Sequence, residues 1–284
     1  MGLTVEPTGA SCGARVTGID LRQPLSEDAF GEIRALWVEH KVLAFPDQPL
    51  SDEDLERFTL GFGDFGEDPF FGHIEGHEHI AAIQRNADET TPIFAEGFHS
   101  DWSFLDVPPA GTVLFGIKIP PKGGNTLFAD QVAAYRRLPD ALRDKADQLI
   151  AVHSAQRGYA PDAGYYGDAD QGSGRSMKII PSDRAYEENE HPFVRVHRET
   201  GERALYSSPS YIIRFKDMSE AESHALQMAF FEHQTQEDLV YSHPWEKDML
   251  VMWDNRSLLH AATGGYDGYD RLLHRTTIAD TRFE

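Results

Sequence analysis

Two periods run through the hydrophobic pattern of this chain. Behind Ser26-Glu27-Asp28, the residues Ala29, Ile33, Leu36 and Trp37 recur at helical spacing, which predicts a helix over 26–40. Ser51 and Asp54 form a capping box, with Asp in place of the usual Glu or Gln, opening a second helix to about residue 60. Ser219 and Glu222 repeat that signature for a helix running to about His233. Elsewhere the pattern is that of strands: Val16–Leu21, Val42–Phe45, Thr112–Ile119, Phe193–His197, Ala204–Ser207, Met249–Trp253 and residues 271–279. The unbroken apolar run Met249-Leu250-Val251-Met252-Trp253 predicts a strand buried on both faces. Pro120-Pro121 stops the strand before it, and Gly123-Gly124 turns the chain. Asp130 suits a helix cap and Pro139 the first turn of the next helix. Many strands and few helices predict a mainly β architecture, a sandwich or barrel with flanking helices.

Composition narrows the class. A chain of 284 residues with 40% hydrophobic content can bury a large core, and one domain spanning 1–284 is expected. The formal net charge of −21 repels phosphate backbones and anionic lipid, so neither nucleic acid nor membrane is an expected partner. An anionic substrate would need positive charge supplied locally. The single cysteine, Cys12, excludes an internal disulfide and fits a reducing cytoplasm. Met1 to Pro7 lacks the basic and apolar regions of a secretory signal, and no apolar run approaches the ~20 residues of a membrane helix. Residues 160–176, rich in Gly, Asp and Ser, read as a long loop, and a lid over a site is expected within 155–180. A solvated surface insertion is the alternative.

The candidate chemistry lies in three short pieces: His99-Ser100-Asp101, His260, and Arg271 eleven residues after that His. Two imidazoles and one carboxylate on one face of a metal leave other positions open, as in non-heme Fe(II) oxygenases. His-x-Asp/Glu triplets arise by chance in so acidic a chain, and two others occur. His197-Arg198-Glu199 falls at an expected solvated turn, and His73-Ile74-Glu75 lies in a polar, His-rich stretch. Alternation in an extended segment would put His99 and Asp101 on one side. Arg271 would anchor a dicarboxylate co-substrate. Arg271 and Arg275 are four apart on one strand and can both point inward, against a small diacid or against protein carboxylates.

At these residues the sequence resembles the TauD/TfdA family of Fe(II)- and 2-oxoglutarate-dependent dioxygenases. The similar stretches are Gly13–Leu21, Val42–Gln48, Phe98–Phe104, Pro108-Pro109-Ala110, Gly123–Phe128, Trp253–Arg256 through His260, and Arg271–Thr277. The likeness runs from about residue 5 to 282. It implies a double-stranded β-helix, or jelly roll, with His99, Asp101 and His260 as metal ligands. It implies that Thr126 and Arg271 hold the distal carboxylate of 2-oxoglutarate, and that Arg275 lies near its other carboxylate and the substrate's anionic head. The implied reaction consumes O2 and 2-oxoglutarate, releases succinate and CO2, and hydroxylates a small anionic substrate, often with collapse to a carbonyl and a leaving group. A carboxylate at position 101 points to hydroxylation rather than halogenation. A homodimer or homotetramer is the expectation from the family.

The substrate pattern departs from the taurine enzymes. Their His-Pro-x-Tyr stretch is Asp68-Pro69-Phe70-Phe71 here, and Ala95 stands at an Asn position. Ile83–Glu89 and Val152–Ala155 look closer to the dichlorprop and alkylsulfate members. The expected substrate is an aryloxyalkanoate, an alkyl sulfate or a larger sulfonate. Its expected contacts are Arg275, Phe71, His73, Phe104 and Tyr206, with Phe70, Tyr159 and Tyr211 as further wall candidates. Taurine itself, a metal-dependent isomerase or hydrolase working without oxygen, and a non-catalytic binding protein remain as alternatives.

Overall fold

In a computed structural model, residues 2–167, 170 and 172–280 are described. Sixteen strands are present among them: β1 Thr4–Pro7, β2 Ala14–Thr17, β3 Val42–Phe45, β4 His73–Ile74, β5 His77–Arg85, β6 Gly111–Lys118, β7 Thr126–Asp130, β8 Ile150–His153, β9 Asn189–Pro192, β10 Val194–Val196, β11 Arg203–Leu205, β12 Ile212–Phe215, β13 Val240–His243, β14 Leu250–Asp254, β15 Leu258–Ala262 and β16 Arg271–Ile278. The helices are α1 Glu27–His40, α2 Asp52–Leu60, α3 Gln131–Arg137, α4 Asp140–Ala146, α5 Gln156–Tyr159 and α6 Glu220–Gln234. None of the described helices is long and apolar enough to cross a membrane.

The large sheet has the order β1-β2-β3-β14-β6-β16-β5-β4, and a small sheet has the order β13-β7-β15. The protein is thus mainly β with flanking helices, the jelly-roll class that the strand pattern and the resemblance imply. β14 shows why its sequence is continuously apolar. Leu250 and Met252 join the core under α1 and α2, while Val251 and Trp253 join the core between the sheets. The same two-residue period splits β16. Ile278 and Thr276 face α2, whereas Leu273 faces the inter-sheet core with Arg271 and Arg275 on its side.

Local signals fix the helices. Ser26 caps α1, and both expected capping boxes are present, at Ser51/Asp54 and Ser219/Glu222. Asp130 accepts from the backbone N–H groups of Val132 and Ala133 to open α3. Several strands end earlier than their apolar pattern predicts, the strand expected over Val16–Leu21 most of all. β2 ends at Thr17 because Gly18 turns the chain at φ +84°, where a Cβ would meet the Gly2 carbonyl at 2.9 Å.

Residues 168, 169 and 171 of the expected lid segment lie outside the described residues. Its second arm is tied down: Gly72 N–H donates to Lys178 O and Ile180 N–H to Phe70 O. Met177 and Ile179 are buried in an aromatic cluster with Phe70, Phe71, Trp102 and Tyr159.

Candidate active site

The backbone brings the two histidines together before any ligand does. His99 and His260 form an isolated antiparallel bridge, with N–H···O distances of 3.0 and 2.8 Å. His260 sits within β15, which follows β14 after a gap of three residues, so the Asp254–Ser257 turn aims it into the space between the sheets. The segment after Ser100 is not extended. It enters a turn at Asp101, and Trp102 takes φ 46°. That turn returns the Asp101 carboxylate toward the bridge. Ligand atoms of His99, Asp101 and His260 lie within 4.8 Å of one another, all three residues buried.

The donor set fits a metal. Asp101 Oδ1 is 3.6 Å from His99 Nε2 and 3.7 Å from His260 Nε2. His99 Nδ1–H donates to the Gly97 carbonyl at 2.8 Å, which leaves Nε2 as the lone-pair nitrogen. Asp101 Oδ2 is held by the Thr112 hydroxyl at 2.6 Å, and Thr112 in turn accepts from Asn255, which accepts from Trp253 Nε1. Burial pushes the Asp101 carboxyl up, but Arg275 and the imidazoles outweigh it and hold it well below the usual carboxylate range. Burial and the neighbouring His99 bring His260 down to about 3, so both groups are in the protonation state a cation requires.

One cavity joins this cluster to Thr126, Arg271 and Arg275. Arg271 is buried without an ion-pair partner among the described residues. Its one hydrogen bond there goes from Nη2 to Gly124 O at 3.3 Å, and its Nε has no partner. Trp245 and Tyr266 flank it, with ring centroids 6.0 and 5.9 Å from the guanidinium carbon. Burial draws its pKa down to about 10. The Thr126 hydroxyl accepts from Trp245 Nε1 at 3.0 Å, leaving its own proton to donate into the cavity.

Arg275 has a different environment. Its Nη1 donates to both Asp68 oxygens at 3.0 and 2.9 Å, and its Nη2 lies 3.3 Å from Asp101 Oδ2. Phe71 and Trp102, whose rings meet edge to face, both lie against the guanidinium, at 5.1 and 5.2 Å. Here the protein-carboxylate alternative for an inward Arg is realised.

Of the expected substrate contacts, the cavity wall includes Arg275 and Phe71 but not His73, Phe104 or Tyr206. His73 is exposed on the short strand β4, which carries its side chain away from the core. Phe104 is one layer behind, packed on Phe70 and Trp102, and Tyr206 is packed against His153 and Arg195. Among the other wall candidates, Tyr159 and Tyr211 line the cavity and Phe70 does not. Trp102, Phe94, Tyr266, Arg85, Glu89 and Arg175 line it as well. The His197 triplet does fall at a turn, with Arg198 and Glu199 exposed, but its histidine is not solvated. His197 is buried and its Nε2 hydrogen-bonds Asp254 at 2.8 Å, in a network that continues through Arg256 to Glu199 and Arg34. Sequence reasoning also missed Thr112, Asn255, Trp245 and Tyr266. Their partners lie up to 143 residues away, and no local spacing carries that information.

Comparison with known proteins agrees with this geometry. The family model described as "Taurine catabolism dioxygenase TauD, TfdA family" matches residues 4–277. The chain is 31% identical to the alpha-ketoglutarate-dependent sulfate ester dioxygenase of Pseudomonas putida, over 98% of this chain and 89% of that one. It is 30% identical to the alpha-ketoglutarate-dependent 2,4-dichlorophenoxyacetate dioxygenase of Cupriavidus pinatubonensis, over 99% of each. The crystal structure of a taurine dioxygenase from Burkholderia xenovorans superposes with a TM-score of 0.80 at 31% identity, covering 99% of this chain and 90% of that one. The chain therefore belongs to the TauD/TfdA family and is an alpha-ketoglutarate-dependent dioxygenase.

Proposed function

We propose that the chain is an Fe(II)- and 2-oxoglutarate-dependent hydroxylase of a small anionic organic substrate with an apolar body. The observation that carries this reading is Arg271, a buried cation without a carboxylate partner among the described residues, in the same cavity as the His99, Asp101 and His260 cluster. A buried unpaired charge is costly, and a dicarboxylate supplies its missing partner. His99, Asp101 and His260 would hold the metal, and Arg271 with Thr126 would hold the distal carboxylate of 2-oxoglutarate. Arg275 Nη2, 3.3 Å from Asp101 Oδ2 but without a hydrogen bond among the described residues, would reach the near carboxylate. The chemistry that iron held by His99, Asp101 and His260 would supply is the coupling of O2 and 2-oxoglutarate to succinate, CO2 and a hydroxylated substrate carbon.

The chain's own residues then do three things. Thr112 and Gly97 fix the orientation of Asp101 and His99. Phe71, Phe94, Trp102, Tyr159 and Tyr211 form an aromatic wall that places an apolar substrate body and excludes water. Arg271 sets the co-substrate's direction. The wall supports an aryloxyalkanoate, alkyl sulfate or larger sulfonate over taurine, and the sulfate ester and 2,4-dichlorophenoxyacetate relatives fall in those classes. The buried lone thiol of Cys12 is compatible with a reducing cytoplasm.

The test is anaerobic visible absorption of the Fe(II)-reconstituted protein. Adding 2-oxoglutarate should produce a weak metal-to-ligand charge-transfer band, and an accepted substrate from a panel of aryloxypropionates, alkyl sulfates and taurine should perturb it. A correctly loaded protein that gives no band would overturn the reading and bring forward a metal-dependent enzyme that needs no co-substrate.

A further inference from the structure

The cavity wall carries four arginines, and their partners are unequal. Arg85 donates to Glu89, and Arg175 pairs with Asp170 at 2.6 Å and approaches Glu89 at 3.9 Å. Arg275 pairs with Asp68 and Asp101. Only Arg271 lacks a carboxylate among the described residues. A divalent cation and the 2-oxoglutarate dianion offset one another. The charges of Arg271 and Arg275 are then matched by Asp68 and Asp101. The loaded site has no spare cation for the anionic head of a substrate.

Asp68 decides this balance. Its side chain is 6% exposed, it meets Arg275 through both oxygens, and it is not among the residues lining the cavity. It closes Arg275 into a pair without offering a surface to the substrate. A closed pair does not repay the desolvation of a second anion brought alongside it.

We propose that Asp68 is a specificity-determining residue that withholds the charge of Arg275 from the substrate, so that binding rests on the aromatic wall and favours monoanions with an aryl or long apolar body over compact oxyanions. The proposal rests on the reading of the site as a 2-oxoglutarate-dependent hydroxylase. It narrows that reading, because affinity comes from the body of the substrate and not its head.

The test is calorimetry on the full chain loaded with Mn(II) and 2-oxoglutarate. The probes are phenoxyacetate, its uncharged analogue phenoxyacetamide, and 1-butanesulfonate as a compact anion. Wild type should bind phenoxyacetate and phenoxyacetamide within about threefold of each other, and butanesulfonate at least about tenfold more weakly. Asp68→Asn should tighten both anions by about tenfold or more and leave phenoxyacetamide within about twofold. Asp68→Glu, which keeps the charge, should behave as wild type. If the Asn variant does not fold, Asp68→Ser removes the same charge and carries the same expectation. A charge-removing variant that leaves the anions unchanged, weakens them, or tightens anion and amide alike overturns the proposal. So does a pocket that binds neither phenoxy compound in either protein. Failure of 2-oxoglutarate itself to bind the Mn(II)-loaded wild type would instead strike the hydroxylase reading.

Discussion

Arg271 and Arg275 share a strand, a face and near-complete burial, yet the protein treats them in opposite ways. Around Arg271 stand two aromatic rings, a carbonyl and a threonine-lined void. Around Arg275 stand two carboxylates. One guanidinium is held ready for an anion from outside, and the charge of the other is already neutralised by the fold, although its Nη2 has no hydrogen bond among the described residues. A buried arginine is therefore not by itself a binding residue. What matters is whether the protein supplies its counter-charge.

Replacing the unsatisfied cation should have the largest effect on function. Arg271→Met should raise the KM for 2-oxoglutarate about 100-fold by removing a charge-assisted anchor. The ligand-free variant should melt at the same temperature as wild type or higher, because an unpaired buried charge is gone. Saturating 2-oxoglutarate should then add little to its melting temperature, where it should stabilise wild type. A variant with lowered melting temperature and unchanged KM would break the comparison.

Arg275→Met should show the reverse balance. It leaves Asp68 and Asp101 buried without their cation, and should cost about 3–5 kcal/mol of unfolding free energy in the metal-free protein. Adding Asp68→Asn should recover part of that loss, read as a coupling energy in urea unfolding. Simple additivity of the two substitutions would mean that the pair contributes nothing as a pair.

The two arginines also mark the limit of what was legible in the sequence. Their inward direction follows from the two-residue period of β16, and the His99-x-Asp101 triplet with His260 and Arg271 carries the chemistry in short, readable pieces. Helix starts were equally legible, since Ser51 with Asp54, and Ser219 with Glu222, each act across three residues. The partner of Arg275 was not, because Asp68 lies 207 residues earlier. His197 was misjudged for the same reason: its neighbours Glu199 and Thr200 suggest an exposed turn, while its burial comes from Asp254, 57 residues on. Local pattern reports periodicity and caps. It does not report which long-range neighbour neutralises a charge.

Thr112, one of the missed residues, gives a third test. Thr112→Val removes the 2.6 Å donor to Asp101 Oδ2 and strands the Asn255 amide, at nearly unchanged volume. Affinity for Mn(II) should fall about 10- to 100-fold by titration, with Arg271-dependent 2-oxoglutarate binding weakened only through the metal. Unchanged metal affinity would show that Asp101 is oriented by Arg275 alone.

Acid stability probes buried groups that escape charge instead of pairing it. Burial holds His153 well below the ordinary imidazole range, lowers His191, and brings His243 to about 4. Below an unfolded pKa near 6.5 the unfolded chain binds protons that the folded chain refuses, so stability should fall as pH drops from about 6.5. For His243 that loss should continue to about pH 4. Each histidine contributes at most about 1.4 kcal/mol per pH unit. Urea unfolding of the metal-free protein from pH 8 to 5 should show this slope, and His243→Asn should reduce it. A slope unaltered by His243→Asn would place the acid sensitivity elsewhere.

The smallest expected effect tests how closely the fold is fitted to Arg271. Gly124 has φ +68°, and a Cβ there would lie 3.2 Å from Arg271 Nε and 3.3 Å from the Tyr266 ring. Gly76 has a similar φ, +85°, with nothing within 4 Å of its would-be Cβ. Alanine at either position should cost about 1 kcal/mol for the left-handed backbone. Only Gly124→Ala should also displace the guanidinium, raising the KM for 2-oxoglutarate by about three- to tenfold with kcat little changed. Gly76→Ala separates strain from contact. If both variants lose stability and neither shifts KM, Arg271 has slack in its pocket and its readiness for an anion owes nothing to the Gly124 approach. If only Gly124→Ala shifts KM, the void at Arg271 is shaped by backbone as well as by the absence of a carboxylate.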